Sequence, residues 1–388
     1  MREVPLETVL ELLIDHRGKT PKKLGGDFTE AGVPAISAIH VKNGRINWNE
    51  RYRYVSEEMF ERWMPEKTKR GDVLLTSEAP LGEVAQVPGD DPLVLSQRLF
   101  GLRGKEGVLD STYLRYFLQS EIGQKRLLAN ESGSTVSGIR QALLRQVLVP
   151  LPPFAAQQGV AATLGAFDDL IQTNRDLAAD LEHLLFAIVD RCAVDAPRTP
   201  FGDLAWRAVE RSSVNEMSAG ETYLGLEHFG VDGEGLIGRG TVDGINSPSL
   251  RFKSGDILYG KLRPYFRKVA RPGFSGVCSA EAWVLRAKEG HAQAVVHAVV
   301  NSPQFSVVAM AGNSGTKMPR ADWDHIAKFE VPDLRDVLSD EDVAALDTLW
   351  AAACDLRADN EALTRQRDEL LPLLMSGRVR VSELEGVA

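Results

Sequence analysis

The densest chemistry in this 388-residue chain is the stretch RFKSGDILYGKLRPYFRKVARPG, Arg251 to Gly273. Seven lysines and arginines stand there against Asp256 alone, interleaved with Phe252, Tyr259, Tyr265 and Phe266. Guanidinium forks bind phosphate oxygens or span the O6/N7 edge of guanine, and tyrosine hydroxyls position on backbone oxygens. Lys253, Lys261, Arg263, Tyr265, Arg267 and Lys268 are therefore candidate nucleic-acid contacts. Arg263 is favoured for a base edge, because Pro264 stiffens the loop beside it. Lys268, a flexible point charge, suits a phosphate. Taken alone, the stretch reads equally well as a solvated hairpin.

The corresponding region of the first half offers Lys69 and Arg70 before a strand and Arg98 after it, with Lys42, Arg45 and Ser77 as further candidates. Two Gly/Ser-rich stretches, SGSTVSGIR from Ser132 and SGTKMPR from Ser314, add Thr135, Arg140, Lys317 and Arg320. Glycine lets a backbone approach phosphates closely. The same stretches also suit turns leading into a helix.

Catalytic chemistry is harder to find. The G-x-G-x-x-G pattern from Gly233 to Gly238 runs into RGTVDGINSPS, which cannot form the helix that a dinucleotide fingerprint requires. No phosphate loop of the G-x-x-x-x-G-K-[ST] type and no G-x-S-x-G nucleophile turn is present. Seven histidines and the cysteines Cys192, Cys278 and Cys354 lack metal-ligand spacing. No catalytic, cofactor-binding or metal residue is expected, and the thiols are expected to be free and buried. Apolar runs fall short of the roughly 20 residues that span a bilayer, and acidic residues sit where a signal peptide needs its apolar core. A cytoplasmic location without membrane contact is expected.

A net charge of -9 at first argues against a phosphate partner. Its distribution reverses that inference. Phe154 to Ala196 holds seven acids against two bases, and Asp333 to Glu369 eleven against four, so the remainder of the chain is mildly basic.

The elements that must carry these residues occur twice. GDVLLTSEAPLGEVAQVPG from Gly71 matches GDILYGKLRPYFRKVARPG from Gly255, with Gly71, Asp72, Leu74, Pro80, Pro88 and Gly89 meeting identical residues. His40 faces His228, and Val149-Pro150 faces Val331-Pro332. GDVLL and GDILY read as strands after a turn. YLRYFLQSEIGQKRLL from Tyr113 and AQAVVHAVVNS from Ala292 read as helices, and VLVPLP and FEVPDL as exit strands. The fold class expected is α+β: two similar mixed α/β domains, at 1–153 and 197–332, separated by helical spacers at 154–196 and 333–388.

In the first spacer, Val160, Phe167, Asn174, Leu181 and Ile188 recur every seven residues, with Leu170, Leu177 and Leu184 three residues further on. In the second, Leu346, Ala353, Asn360, Arg367 and Leu374 make the a series, and Leu349, Leu356, Leu363 and Leu370 the d series. Both are a/d seams, which predicts an antiparallel coiled coil with a pseudo-twofold duplication. Asn174 and Asn360 are expected to set its register, since a buried asparagine penalises wrong alignments. Pro372 and Gly377 are expected to end the second helix. A helix of about 30 residues is roughly 45 Å long, more than one duplex turn of about 34 Å, so such a pair suits a spacer between two readers on DNA. A duplicated coiled-coil scaffold that binds only proteins is the competing reading; the basic-aromatic segment speaks against it.

LVPLPPFAAQQGVAATLGAFDDLIQTNRDLAADLEHLL resembles the central conserved segment of type I restriction-modification specificity subunits, and RDELLPLLMSGRVRV from Arg367 resembles the end of their second. VPDLRDVLSDEDVAAL departs from the PLPP wording, which leaves the start of the second helix open. The resemblance implies two target-recognition domains, each reading half of a bipartite double-stranded DNA site. It implies helices that dock two modification (methyltransferase) subunits, which hold S-adenosylmethionine and methylate adenine. It also implies that restriction (motor-nuclease) subunits can join such a complex for cleavage. The specificity chain itself is implied to be non-catalytic and to hold no cofactor.

Overall fold

The computed structural model describes residues 2–381 apart from 43, 49, 132–137, 248 and 313–317. The chain divides into two compact units, residues 1–171 with 362–388 and residues 172–361. Both divisions fall inside long helices, Phe154–Cys192 and Asp340–Ser376.

In the first unit the Gly71-Asp72 turn, with Gly71 at φ +88, launches the fully buried strand Val73–Ser77. Glycine takes this left-handed backbone without the Cβ clash other residues meet. The strand sits inside an antiparallel sheet ordered Leu10–Asp15, Leu99–Gly104, Val73–Ser77, Leu81–Gln86. The long helix expected from Tyr113 is two helices, Ser111–Gln119 and Glu121–Ala129. Ser120 breaks it by accepting the Gly123 amide as a cap, because a serine oxygen satisfies an amide the helix leaves orphaned. Both cover the sheet, where Tyr113 and Phe117 pack with Phe100 and Leu102. The strand Glu3–Pro5 pairs with the exit strand Leu148–Pro150 and closes the domain.

The second unit repeats this plan. Its sheet runs Ala205–Ala208, Ala282–Ala287, Ile257–Gly260, Val269–Ala270, and Arg198–Pro200 pairs with Glu330–Pro332 in the same antiparallel way. Individual contacts recur as well. Asp72 takes both forks of Arg103 at 2.8 Å and the Lys69 amide at 2.9 Å. Asp256 takes both forks of Arg286 at 2.7 and 2.8 Å and the Lys253 amide at 2.8 Å. A buried carboxylate tolerates loss of water only when its lone pairs are filled in this way. His40 Nδ1 accepts the Ser37 amide, as His228 Nδ1 accepts that of Gly225. Ser302 repeats the cap made by Ser120.

In each unit, segments of the two long helices pair antiparallel. In the first, Gly159 lies against Val381 while Asp168 binds Arg367 at 2.7 Å. In the second, Glu182 binds Arg357 at 2.6 Å, and Leu185 and Val189 pack with Leu346. The a series of the second helix is buried at Leu346, Ala353, Asn360 and Leu374.

The first helix corrects the expected seam. Leu164, Ile171, Ala178 and Leu185 are buried, whereas Leu170, Leu177 and Leu184 are 46–49% exposed. The inward series lies four residues after Val160 and Asn174, not three. Asn174 thus has the d geometry of its seam rather than the a geometry. At 3.6 residues per turn, the +3 and +4 positions both border the same face, so two apolar stripes competed. Asn174 and Asn360 are both buried in the second unit. A further correction concerns the C-terminus. Pro372 lies inside the helix, which ends at Ser376 with Gly377 at φ +70.

Candidate nucleic-acid interface

In the second unit the basic-aromatic segment becomes a tethered loop, residues 261–268, between Ile257–Gly260 and Val269–Ala270. The Arg263 amide donates to the Pro319 carbonyl at 2.8 Å, and Leu262 bridges Arg320. Arg263 and Arg267 both hold left-handed backbone, at φ +53 and +45. Non-glycine residues keep such backbone only where surrounding contacts over-determine it, which is common at binding sites. Between them Tyr265 and Phe266 project, 50% and 36% exposed, with ring centroids 4.6 Å apart.

Two candidates of this loop face inward, against expectation. The Arg267 guanidinium donates to the carbonyls of Asp232 and Asn301. Lys268 Nζ donates to the Leu226 carbonyl at 2.6 Å. Their cations anchor the loop to the domain and are not free for phosphate. Arg263 makes no side-chain hydrogen bond or ion pair among the described residues and remains the outward candidate. Lys253 is exposed, Lys261 half-buried, and Arg320 pairs with Glu281 at 3.0 Å while staying 55% exposed.

In the first unit the equivalent loop holds Ala79 at φ +50, beside Arg98 at φ +64. Arg98 pairs with Glu78 at 3.2 Å and is half exposed. Ser77 is 1% exposed within its strand, so the expectation that it contacts a partner is corrected. Arg45 donates to the Asp168 carbonyl at 2.8 Å, which makes it a link to the long helix. Lys42, Lys69, Arg70 and Arg140 are exposed. Thr135 and Lys317 lie outside the described residues.

Asp168 organises the helix side of this unit. It accepts from Arg115 at 2.9 Å, Tyr116 at 2.7 Å and Arg367 at 2.7 Å. Burial alone would raise its carboxyl, but the hydrogen bonds from Tyr116 and Arg367 and the Arg115 charge outweigh it and hold it below the usual carboxylate value.

Sequence reasoning missed Arg207 and Arg211. They project from AWRAVERSS with no carboxylate partner among the described residues, and Arg207 lies over the Trp323 and Trp283 rings at 4.9 and 5.8 Å. The only available signal was two arginines four apart at the end of a strand. His297 is pushed by burial to about 3 and packs on Phe186, so it is a neutral core group. No metal-holding cluster and no single helix long and apolar enough to cross a membrane occurs among the described residues.

Residues 1–183 match the family described as type I restriction modification DNA specificity domain. The type I restriction enzyme MjaIX specificity subunit of Methanocaldococcus jannaschii is 29% identical over 201 residues, 46% of this chain and 45% of that protein. The MjaVIII specificity subunit of the same organism is 28% identical over 163 residues, 40% of this chain and 38% of that protein. The chain thus spans less than half the length of these relatives. The fold is that of the type I restriction-modification S subunit crystal structure from M. genitalium, with a TM-score of 0.57 at 14% identity, over 96% of this chain and 95% of that one. Residues 1–183 thus carry the similarity to the type I restriction modification DNA specificity domain, and the chain as a whole shares the fold of that S subunit structure.

Proposed function

We propose that the chain is the non-catalytic DNA-reading subunit of a type I restriction-modification complex, and that each recognition domain reads one half of a bipartite site. The observation that carries this reading is a shared scaffold with unlike tips. Asp72/Arg103 and Asp256/Arg286 make the same buried contact. At the offset of the repeat, however, Ser77, Glu78, Ala79 and Leu81 stand where the second half has Lys261, Leu262, Arg263 and Tyr265. Two copies of one frame with different projecting side chains suit two different half-sites, since base edges are read by side chains and not by the frame.

In this reading residues 1–153 and 197–332 are the target-recognition domains, and 154–196 and 333–388 the spacers. Lys42, Lys69, Arg70, Arg98, Arg140, Lys253, Lys261, Arg263, Tyr265 and Arg320 are the DNA contacts among the described residues. Asn174 and Asn360 hold the helices in register. Two modification subunits dock on the helices; exposed leucines such as Leu177 and Leu184 suit a partner helix. Those subunits hold S-adenosylmethionine and methylate adenine, restriction subunits add cleavage, and the complex works in the cytoplasm. Methylation-sensitive sequencing of DNA from cells carrying this chain with its modification subunit tests the proposal. A methylated motif of two short halves around an unspecified gap is expected. A continuous motif, or no motif dependent on this chain, would refute it.

A further inference from the structure

A cleft of about 310 Å³ opens in the second unit beside the loop described above. It is lined by Arg207, Arg211 and Lys261, with Ser249 and Trp283 among the remaining wall residues and no carboxylate. All three cations lack a side-chain hydrogen bond or ion pair among the described residues, and Arg207 and Arg211 are exposed. Glu210 and Glu281, which adjoin lining residues in sequence, are engaged elsewhere. Glu210 binds Arg286 at 2.7 Å, and Glu281 binds Arg320 at 3.0 Å. The cleft therefore carries uncompensated positive charge on a chain whose net charge is -9.

Like charges are held together here by the frame. Arg207 and Arg211 flank the end of the strand Ala205–Ala208, and Arg207 is steadied over the Trp323 ring. Lys261 is fixed through its backbone, whose amide donates to Glu281 at 2.9 Å and whose carbonyl accepts from Ala321 at 2.8 Å. A cleft of one sign with low-dielectric walls focuses its field on an incoming anion. Two guanidiniums and an ammonium around one opening match the spread charge of a phosphodiester better than a single planar carboxylate.

The described residues of the first unit do not repeat this trio of cations. By sheet register Leu13, opposite Leu102, stands where Arg207 lies opposite Leu285, and Arg17, which matches Arg211, has its guanidinium taken by Asp15 at 2.7 and 2.8 Å and by the Ile139 carbonyl. Ser77 stands where the second unit has Lys261. We infer that the Arg207–Arg211–Lys261 cleft is a phosphodiester clamp, present in the second recognition domain alone, that grips the DNA backbone beside the half-site read by the neighbouring loop. This rests on the DNA-reading proposal above.

The test is the salt dependence of binding to a duplex of random sequence, using the full-length chain purified with its modification subunits. A sequence-independent probe is apt, because a backbone clamp acts on any duplex. Removing one phosphate contact lowers the slope of log K against log salt by about 0.9, which is about threefold less loss of affinity between 50 and 200 mM salt. Arg207→Ala with Arg211→Ala is expected to show that change, and Arg207→Lys to keep the parental slope. Lys288→Ala, an exposed cation outside the cleft, controls for general charge. Unchanged circular dichroism and melting would establish that each variant is folded. A parental slope in the folded double variant overturns the clamp. An equal fall in Lys288→Ala also overturns it, since the effect is then diffuse charge. If the parent itself binds no duplex, the DNA-reading proposal fails, and that outcome is distinct from either of these.

Discussion

Asp168→Asn is the most informative single change in the first unit. The substitution keeps the side-chain shape but removes the charge, and it turns one acceptor into a donor that faces arginine donors. Arg115, whose side chain is 8% exposed, loses its counter-charge, and the links from Tyr116 and Arg367 are weakened. Removing one partner of a buried ion pair costs about 3–5 kcal/mol. The Arg367 side chain is 28% exposed, so water recovers part of the loss and the lower end applies, about 3 kcal/mol. For a unit of this size each kcal/mol moves the melting temperature by about 2–4 °C, so a fall of about 6–12 °C is expected. Calorimetry on the full chain should show the drop at pH 7. The pH dependence has a definite sign. The Asp168 carboxyl is held below its unfolded value, so the stabilisation is fully present above about pH 4 and is lost as pH falls through the lowered folded value. The gap between parent and variant should therefore be constant from pH 7 to about pH 4 and narrow only below it. A melting change under 2 °C, or a gap that closes already near neutral pH, would refute this account of the helix junction.

Three other outcomes follow from the geometry. Arg263→Ala should cost about 1–3 kcal/mol of discrimination at one position of the second half-site, read as relaxed methylation there, with the first half-site unaffected. Arg267→Ala and Lys268→Ala should loosen the 261–268 loop, each losing about 1.5–3 kcal/mol of charged hydrogen bonding; limited proteolysis should cut nearby, while the salt slope of DNA binding stays parental. The pair Asn174→Leu and Asn360→Leu should raise the melting temperature but broaden helix alignment, measured by disulfide trapping between engineered cysteines; a lower melting temperature would contradict the register role.

The sequence by itself determined the duplication, the strands that follow Gly71-Asp72 and Gly255-Asp256, the exit strands and the two long helices. These are local signals: turn glycines, runs of β-prone residues and sustained helical spacing each act within a few residues of their own position. It also carried the absence of recognisable catalytic motifs, because such motifs are short and contiguous. The fate of individual cations was decided only by the tertiary structure. Arg263, Arg267 and Lys268 look alike in a row of basic residues. The Arg267 side chain is bound to carbonyls of Asp232 and Asn301, that of Lys268 to the Leu226 carbonyl, and that of Arg263 to none among the described residues. Those acceptors lie 34 to 42 residues away, beyond the reach of any local pattern. The same holds for the first helix. Leucines at +3 and apolar residues at +4 satisfy the helical period equally, and only packing placed Ile171 and Leu185 inside and left Leu177 and Leu184 outside. Arg207 and Arg211 were invisible for the converse reason. Their significance lies in the carboxylates they do not meet, because Glu210 and Glu281 are drawn off by Arg286 and Arg320. Charge pairing is a property of three-dimensional neighbourhood, and a sequence lists charges without their partners.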